Sequence, residues 1–304
     1  MKVLVTGASG FLGQAIVEEF LSNGVVVVGV SKTSGQFQAD ITVEKSLDKL
    51  SKLESVDAVI HSAGLAHQFG KTPREKFFEV NVKGTENVLK LAKTLQTNHF
   101  ILISSVAVYG DNSGLQIPDS KFQEESECNP IGDYAQSKYD AEQLSIKFCA
   151  ENNLRLTILR PATIIGEGDK GNVMRLITTI KNNQFYWIGK GKNIKSLIDK
   201  NDVAKACRLV FSTSDAKFQL YNLTANPIDM RTIVDTIADE LKVEIPKIYV
   251  PQFVAELIAK FSGTIKKWLS DDVFSGDKIN ADLDFQPQTD IKKSLRREVR
   301  SLEN

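Results

Sequence analysis

Apolar residues follow two rhythms along the first half of the chain. Short continuous runs at Val3–Val5, Val25–Val30, Val56–His61, Phe100–Ile103 and Leu154–Leu159 have the length of buried strands. Between them apolar positions recur at helical spacing. Leu12, Ile16, Phe20 and Leu21 mark a helix over 11–23, with Gly24 as its stop. Phe77, Val80, Val88 and Leu91 mark a long helix that Thr72-Pro73-Arg74-Glu75 opens as a capping box with proline at the first helical position. A further helix is predicted over about 131–152, and Phe37–Ala39 reads as a third short strand.

Strands alternating with helices imply βαβ units, a parallel sheet and right-handed crossovers. After about Gly166 the pattern loosens. Helices are predicted over Val173–Asn182, Asp202–Phe211, Arg231–Leu241 and Phe253–Phe261, and extended segments at Phe185–Ile188 and Tyr221–Leu223. This reads as an α/β fold with residues 1–165 as the sheet domain. Residues 166–304 form mainly a smaller C-terminal substrate-binding lobe over the carboxyl ends of the strands, some segments returning to the sheet.

Composition narrows the function classes. The 304 residues carry 38 Lys+Arg against 38 Asp+Glu, which argues against a nucleic-acid partner held by counterion release. Cys128, Cys149 and Cys207 lie far apart, and His61, His67 and His99 do not cluster with them, so neither a disulfide framework nor a metal site is expected. No apolar run approaches the roughly 18 residues of a membrane span. Met1-Lys2 leads straight into the first strand without a secretory signal, so a cytoplasmic protein is expected.

Thr6-Gly7-Ala8-Ser9-Gly10-Phe11-Leu12-Gly13 sits at the first strand-to-helix turn. Glycines let backbone amides approach a pyrophosphate there, and the helix N-terminus adds donors. The sheet is therefore expected to be a doubly wound, Rossmann-type one that binds a dinucleotide through Gly7, Ser9, Gly10, Phe11, Leu12 and Gly13. Such folds commonly end the second strand in a carboxylate that binds the ribose. Here Ser31 and Lys32 stand in that place and suit a 2′-phosphate, so NADP is expected, with NAD as the alternative. Asp40 follows further on, near the adenine edge.

Tyr134 and Lys138 lie four apart on a predicted helix and share one face. A phenol is a poor base near neutrality unless a cation favours its phenolate, and Lys138 can supply that charge. Tyr134 is then a proton donor or acceptor for a carbinol/ketone pair, with Ser105, at the carboxyl end of its strand, orienting the same oxygen. A second copy of the spacing, Tyr186 to Lys190, runs from a strand into a turn and lacks the shared helix face.

Together these segments resemble the extended short-chain dehydrogenase/reductases of the nucleotide-sugar epimerase/dehydratase group. Thr-Gly-x-x-Gly-x-x-Gly is followed in family order by Asp57-Ala-Val-Ile-His61-Ser-Ala-Gly64, Asn81-Val-Lys-Gly-Thr85, Ser104-Ser105-Val-Ala-Val-Tyr-Gly110, Tyr134-x-x-x-Lys138 and Arg160-Pro161, over about the first 205 residues. The resemblance implies that Ser105, Tyr134 and Lys138 are catalytic, that Lys138 touches the nicotinamide ribose, and that Asp40-Ile41 and Ala63-Gly64 line the cofactor. Dehydratases of the group usually carry Thr-Asp-Glu where this chain has Ser105-Val106-Ala107, so water loss is not expected. Many UDP-galactose 4-epimerases have asparagine at Thr163 and arginine at Lys195.

The stretch Gly166–Leu176, with Ala66-His67, is similar to reductases of 4-keto-6-deoxy nucleotide sugars. By that analogy Asn172 and Lys195 face the diphosphate and His67 the sugar, with Thr163 also on the substrate side. The expectation is hydride transfer at C4 of a nucleotide-linked hexose by a reductase. The alternatives are a UDP-hexose 4-epimerase with retained NAD, and a non-catalytic dinucleotide-binding protein. Proteins of the last kind typically lose the tyrosine or lysine, both kept here. Family members are often dimers through a helix bundle, so a homodimer is an expectation of the resemblance. Val250–Leu269 reads as a core-facing helix of the lobe or a membrane-surface helix, and Lys292, Lys293, Arg296, Arg297 and Arg300 as a solvated helix face.

Overall fold

A computed structural model describes residues 1–66, 72–110, 121–188, 191–213, 216–245, 249–250 and 270–302. The apolar runs become strands β1 (Lys2–Thr6), β2 (Val26–Ser31), β3 (Phe37–Gln38), β4 (Ala58–His61), β5 (His99–Ile103) and β6 (Arg155–Pro161). Val3 and Val5 enter one core layer and Leu4 the other, the two-residue alternation of a sheet covered on both faces. Helices α1 (Phe11–Ser22), α2 (Arg74–Phe77), α3 (Gly84–Thr94) and α4 (Asp133–Glu151) alternate with them.

After β6 come β7 (Thr163–Ile165), α5 (Asn172–Lys181), β8 (Trp187–Ile188), β9 (Ile194–Lys195), β10 (Leu197–Asp199) and α6 (Lys200–Thr213). They are followed by β11 (Phe218–Leu223), β12 (Ile228–Asp229), α7 (Met230–Leu241), β13 (Tyr249–Val250), α8 (Asp277–Leu283) and α9 (Ile291–Arg300).

The main sheet has seven strands in the order β11-β6-β5-β4-β1-β2-β3, every pair parallel. This is the doubly wound Rossmann-type arrangement. β1 lies between β2 and β4, so the winding reverses there and the carboxyl ends of β1 and β4 open a crevice. β11 and α6 lie in this unit: β11 pairs with β6, and α6 packs on α1 through Phe20 and Phe211, ring centroids 5.6 Å apart. The lobe has its own core, including Ile165, Ile177, Trp187, Ile233, Ile237 and Leu295. Each fully buried large apolar side chain contributes roughly 1.5–3 kcal/mol.

Three local expectations change. The capping box at Thr72 does not form. Pro73 is itself the cap, with extended backbone (φ −57°, ψ 142°) and no side-chain bond, which leaves Thr72 outside the first turn. The predicted long helix is interrupted by a π-helical stretch over Phe78–Lys83 before α3 begins. β2 is covered on both faces only in its second half, because Val26 is exposed and burial begins at Val28. The helix predicted over 253–261 lies outside the described residues. The basic residues of α9 face largely outward, with Ile291, Ser294, Leu295, Glu298 and Val299 inward. Among the described residues, no helix is long and apolar enough to cross a membrane.

Candidate active site

The glycine loop closes tightly against β4. Gly7 has φ +71°, a conformation side chains disfavour, and a Cβ there would sit 2.7 Å from the Ala63 nitrogen. A Cβ on Gly13 would sit 1.9 Å from the Gly7 carbonyl oxygen, so α1 can approach the loop only as glycine. The Gly10 N–H donates to the Gly7 carbonyl at 2.8 Å. α1 then starts at Phe11 with no capping side chain and no acidic residue in its first turn. That end of the helix offers amide donors and a positive dipole, which fits a pyrophosphate.

A buried polar chain holds β1 to β4 below this loop. Thr85 donates its hydroxyl to the Asn81 carbonyl at 2.6 Å, so it accepts from His61 Nε2–H at 3.0 Å. His61 Nδ1 then accepts from the Thr6 hydroxyl at 2.7 Å, and Thr6 Oγ1 accepts the Ala63 N–H at 3.3 Å. Burial pushes His61 down to about 3, so the ring stays neutral.

At the end of β2 the Ser31 hydroxyl turns back to the Ser34 carbonyl. Lys32 extends outward and pairs with Asp40 at 2.7 Å. Partial burial would raise the Asp40 carboxyl, but Lys32 and the Thr42 donors outweigh it and hold it at about 2. The Asp40 carboxylate is therefore brought onto the lysine beside the strand end whose own position lacks an acid. Ile41 is buried beside Gly84, where a Cβ would meet its side chain at 2.7 Å.

The proposed trio assembles at the carboxyl ends of β4 and β5. Ser105 follows β5 in extended backbone, accepts the Ala107 N–H at 3.1 Å, and has its side chain beside the Tyr134 hydroxyl, whose pKa it lowers. Lys138, one helical turn after Tyr134, is buried and donates to the Ile103 carbonyl at 2.5 Å. A Cβ on Gly64 would stand 3.7 Å from Lys138 Nζ, which places the glycine expected to line the cofactor beside the lysine. Burial pushes Lys138 down to about 8, with Glu142 pulling the other way. Burial also raises Tyr134, opposed by the Ser105 side chain. The lowering of the phenol by Lys138 expected from their spacing is thus not what governs it in the protein alone.

Three further groups support the trio: Asn81 and Arg160, which lie in the quoted motifs without a role assigned to them, and Glu142, which lies in none. Asn81, in the π-helical stretch, donates to the Leu65 carbonyl at 3.0 Å and to Ser137 Oγ at 2.9 Å, and accepts the Leu65 N–H at 2.7 Å. It ties the loop after β4 to α4, the helix of Tyr134 and Lys138; π-helical turns are frequent at functional sites. Glu142, one turn beyond Lys138, is fully buried and grips Arg160 of β6 through two bonds of 2.9 and 2.6 Å. Arg160 also lies 4.8 Å over the Tyr109 ring. The four-residue spacing Tyr134, Lys138, Glu142 was the available signal for Glu142.

The substrate-side residues are less gathered. Thr163 opens β7, and Asn172 is exposed at the first position of α5. Lys195 of β9 donates to the Ser270 carbonyl at 2.7 Å and pairs with Asp272 at 2.8 Å, so a diphosphate there would share it with a carboxylate. His67 lies outside the described residues, as does Lys190 of the second tyrosine–lysine copy, whose Tyr186 is exposed.

The chain is similar to several known proteins. A 4-epimerase of Escherichia coli O157:H7, acting on N-acetyl-alpha-D-glucosaminyl-diphospho-ditrans,octacis-undecaprenol, is 27% identical over 312 residues, covering 95% of this chain and 91% of that one. The structure of Thermus thermophilus UDP-glucose 4-epimerase in complex with NAD superposes with a TM-score of 0.81 at 20% identity, covering 100% of this chain and 99% of that one. RMD from Pseudomonas aeruginosa complexed with NADPH does so with 0.78 at 24%, covering 99% of each. Both share the fold with this chain, whose glycine loop and uncapped α1 N-terminus offer amide donors suited to a pyrophosphate. Residues 3–224 match the NAD dependent epimerase/dehydratase family, and the chain belongs to it as an NAD(P)-dependent enzyme of the extended short-chain dehydrogenase/reductase type.

Proposed function

We propose that this protein is a reductase acting at C4 of a 4-keto hexose, 6-deoxy or not, carried on a diphosphate such as that of a nucleotide, with NADP as its cofactor. The observation that supports the carbonyl chemistry is buried Lys138, held on the Ile103 carbonyl at 2.5 Å one turn from Tyr134, with Ser105 beside the phenol. The bound dinucleotide supplies the hydride. Ser105 holds the carbonyl oxygen, Tyr134 delivers the proton to it, and Lys138 holds the ribose and favours the phenolate left behind. Val106 and Ala107 stand where dehydratases of the resembled group carry an acid pair, and Val106 is buried in apolar company. Asn172 and Lys195 would hold the diphosphate, His67 and Thr163 the sugar side.

A second reading, a 4-epimerase with retained NAD, is favoured by the relative that spans nearly the whole chain. Incubating the purified protein with NADPH and a panel of 4-keto diphosphate sugars, followed by nicotinamide absorbance, separates the two. Stoichiometric NADPH consumption supports the reductase. Interconversion of C4 epimers without added cofactor overturns it in favour of the epimerase.

The cofactor choice has its own test. Ser31 is neutral and Lys32 can meet a 2′-phosphate, so wild type should bind NADPH about ten- to a hundredfold more tightly than NADH, the worth of one charge-assisted contact. Ser31→Asp adds a ribose acceptor and repels the phosphate, and should reduce or reverse the preference in a nicotinamide-fluorescence titration. Equal or tighter NADH binding by wild type overturns the NADP assignment and names Asp40, on Lys32, as the competing group.

A further inference from the structure

The Gly166–Gly171 loop between β7 and α5 touches two distant parts of the molecule. On one side, a Cβ at Gly168 would lie 3.9 Å from the ring of Phe11, the first residue of α1. Lys200 bridges the same gap, donating to the Glu167 carbonyl at 2.6 Å and standing 5.2 Å from the Phe11 ring centroid. On the other side is α9. Its Glu298, with 0% exposure, accepts the Gly166 N–H at 3.1 Å through Oε2. Asp169 of the loop accepts the Gly171 N–H at 2.8 Å through Oδ1.

The remaining oxygens, Asp169 Oδ2 and Glu298 Oε1, are both buried and meet no N–H or hydroxyl donor. Both groups meet at Gly166, whose N–H Glu298 holds and whose carbonyl accepts the Asp169 N–H at 3.0 Å, so the two carboxyl groups bear directly on each other. Two carboxyl groups can bond only through a proton, and two ionised ones would bury like charges side by side. The N–H groups of Gly171, Met174 and Lys170 favour ionised Asp169, and that of Gly166 favours ionised Glu298, but burial outweighs them. Asp199 of β10 is a further negative charge bearing on Glu298, and it already holds Arg297 at 2.8 Å and Ser294 at 2.5 Å. On α7, Glu240 engages Arg300 at 2.6 Å and Arg296 at 3.7 Å.

We propose that Asp169 and Glu298 share one proton, and that this proton fastens the Gly166–Gly171 loop, and with it Asn172 at the start of α5, to the C-terminal helix. Both are positioning residues, and the consequence at Asn172 rests on the substrate reading above. Burial and the neighbouring carboxylate push both groups up from the ordinary carboxylate range. The folded chain then keeps a proton that the unfolded chain releases. Stability therefore falls as pH rises above about 4.5 and levels off once the pair is fully ionised. The loop should loosen over that upper range.

Hydrogen–deuterium exchange of peptides spanning 163–175, corrected for the intrinsic pH dependence of exchange, tests this at about pH 6 and about pH 9.5. Wild type should lose protection there by about tenfold or more. Glu298→Gln carries an amide that donates to Asp169 at any pH, and should change by about twofold or less. Asp169→Asn, donating the other way, serves the same purpose should Glu298→Gln fold poorly. An equal loss in wild type and both amide variants, or no loss in wild type, overturns the proposal. KM for the turned-over diphosphate sugar should rise with pH in wild type and stay flat in Glu298→Gln. If exchange behaves as expected while KM is flat in both, the shared proton stands and the substrate role of Asn172 fails.

Discussion

Tyr134→Phe retains the cofactor and loses most turnover. The substitution removes one hydroxyl and almost no volume. The aromatic body keeps its edge-on packing against Phe77, ring centroids 6.2 Å apart. What disappears is the hydroxyl beside Ser105 that is proposed as the proton source. Loss of general acid–base catalysis costs about 10²–10⁴-fold in turnover. Steady-state rates alongside a nicotinamide-fluorescence titration check both halves of this expectation, and near wild-type turnover would remove Tyr134 as the proton donor. Tyr186→Phe should cost far less, because Tyr186 is exposed and precedes the short β8 rather than lying on a helix with its lysine.

Arg160→Met is expected to cause the largest loss of stability. Glu142 and Arg160 are buried, at 0% and 4% side-chain exposure, and two bonds join them. Methionine keeps much of the volume but strands a carboxylate on α4 without its counter-charge. Breaking a buried pair from one side costs about 3–5 kcal/mol. The Glu142→Gln/Arg160→Met double variant, which removes both charges, should recover a large part of it. Denaturant midpoints at constant m-value measure the difference. A single-variant loss under about 1 kcal/mol would mean that the pair does not anchor the catalytic helix to β6.

The strand runs were legible because a sheet covered on both faces demands continuous apolar residues, and the pattern at Val3–Val5 or Phe100–Ile103 admits little else. Tyr134 and Lys138 were legible because a four-residue spacing on a helix is a contact. The interruption at Phe78–Lys83 was not, since the same apolar residues satisfy an α- or a π-helix and the choice follows from where Asn81 must reach. The cap at Pro73 was misread for a related reason. Thr72 and Glu75 have the right identities, but the chain enters the helix extended at Pro73 and leaves Thr72 outside.

Local order along the chain determined the alternation of strands and helices, the parallel sheet, the glycine turn and the tyrosine–lysine face. Each of these depends on residues within a few positions of one another, or on the periodicity of a single element. Tertiary structure alone decided which charged groups meet. Lys32 meets Asp40, Lys195 meets Asp272, Glu142 meets Arg160, and Asp169 meets Glu298 across more than a hundred residues. Charge and burial at those positions depend on which distant group arrives. A lysine read as a phosphate ligand becomes half of an ion pair, and a glutamate on a basic helix becomes a buried acid, only when the sheet and the lobe close around them.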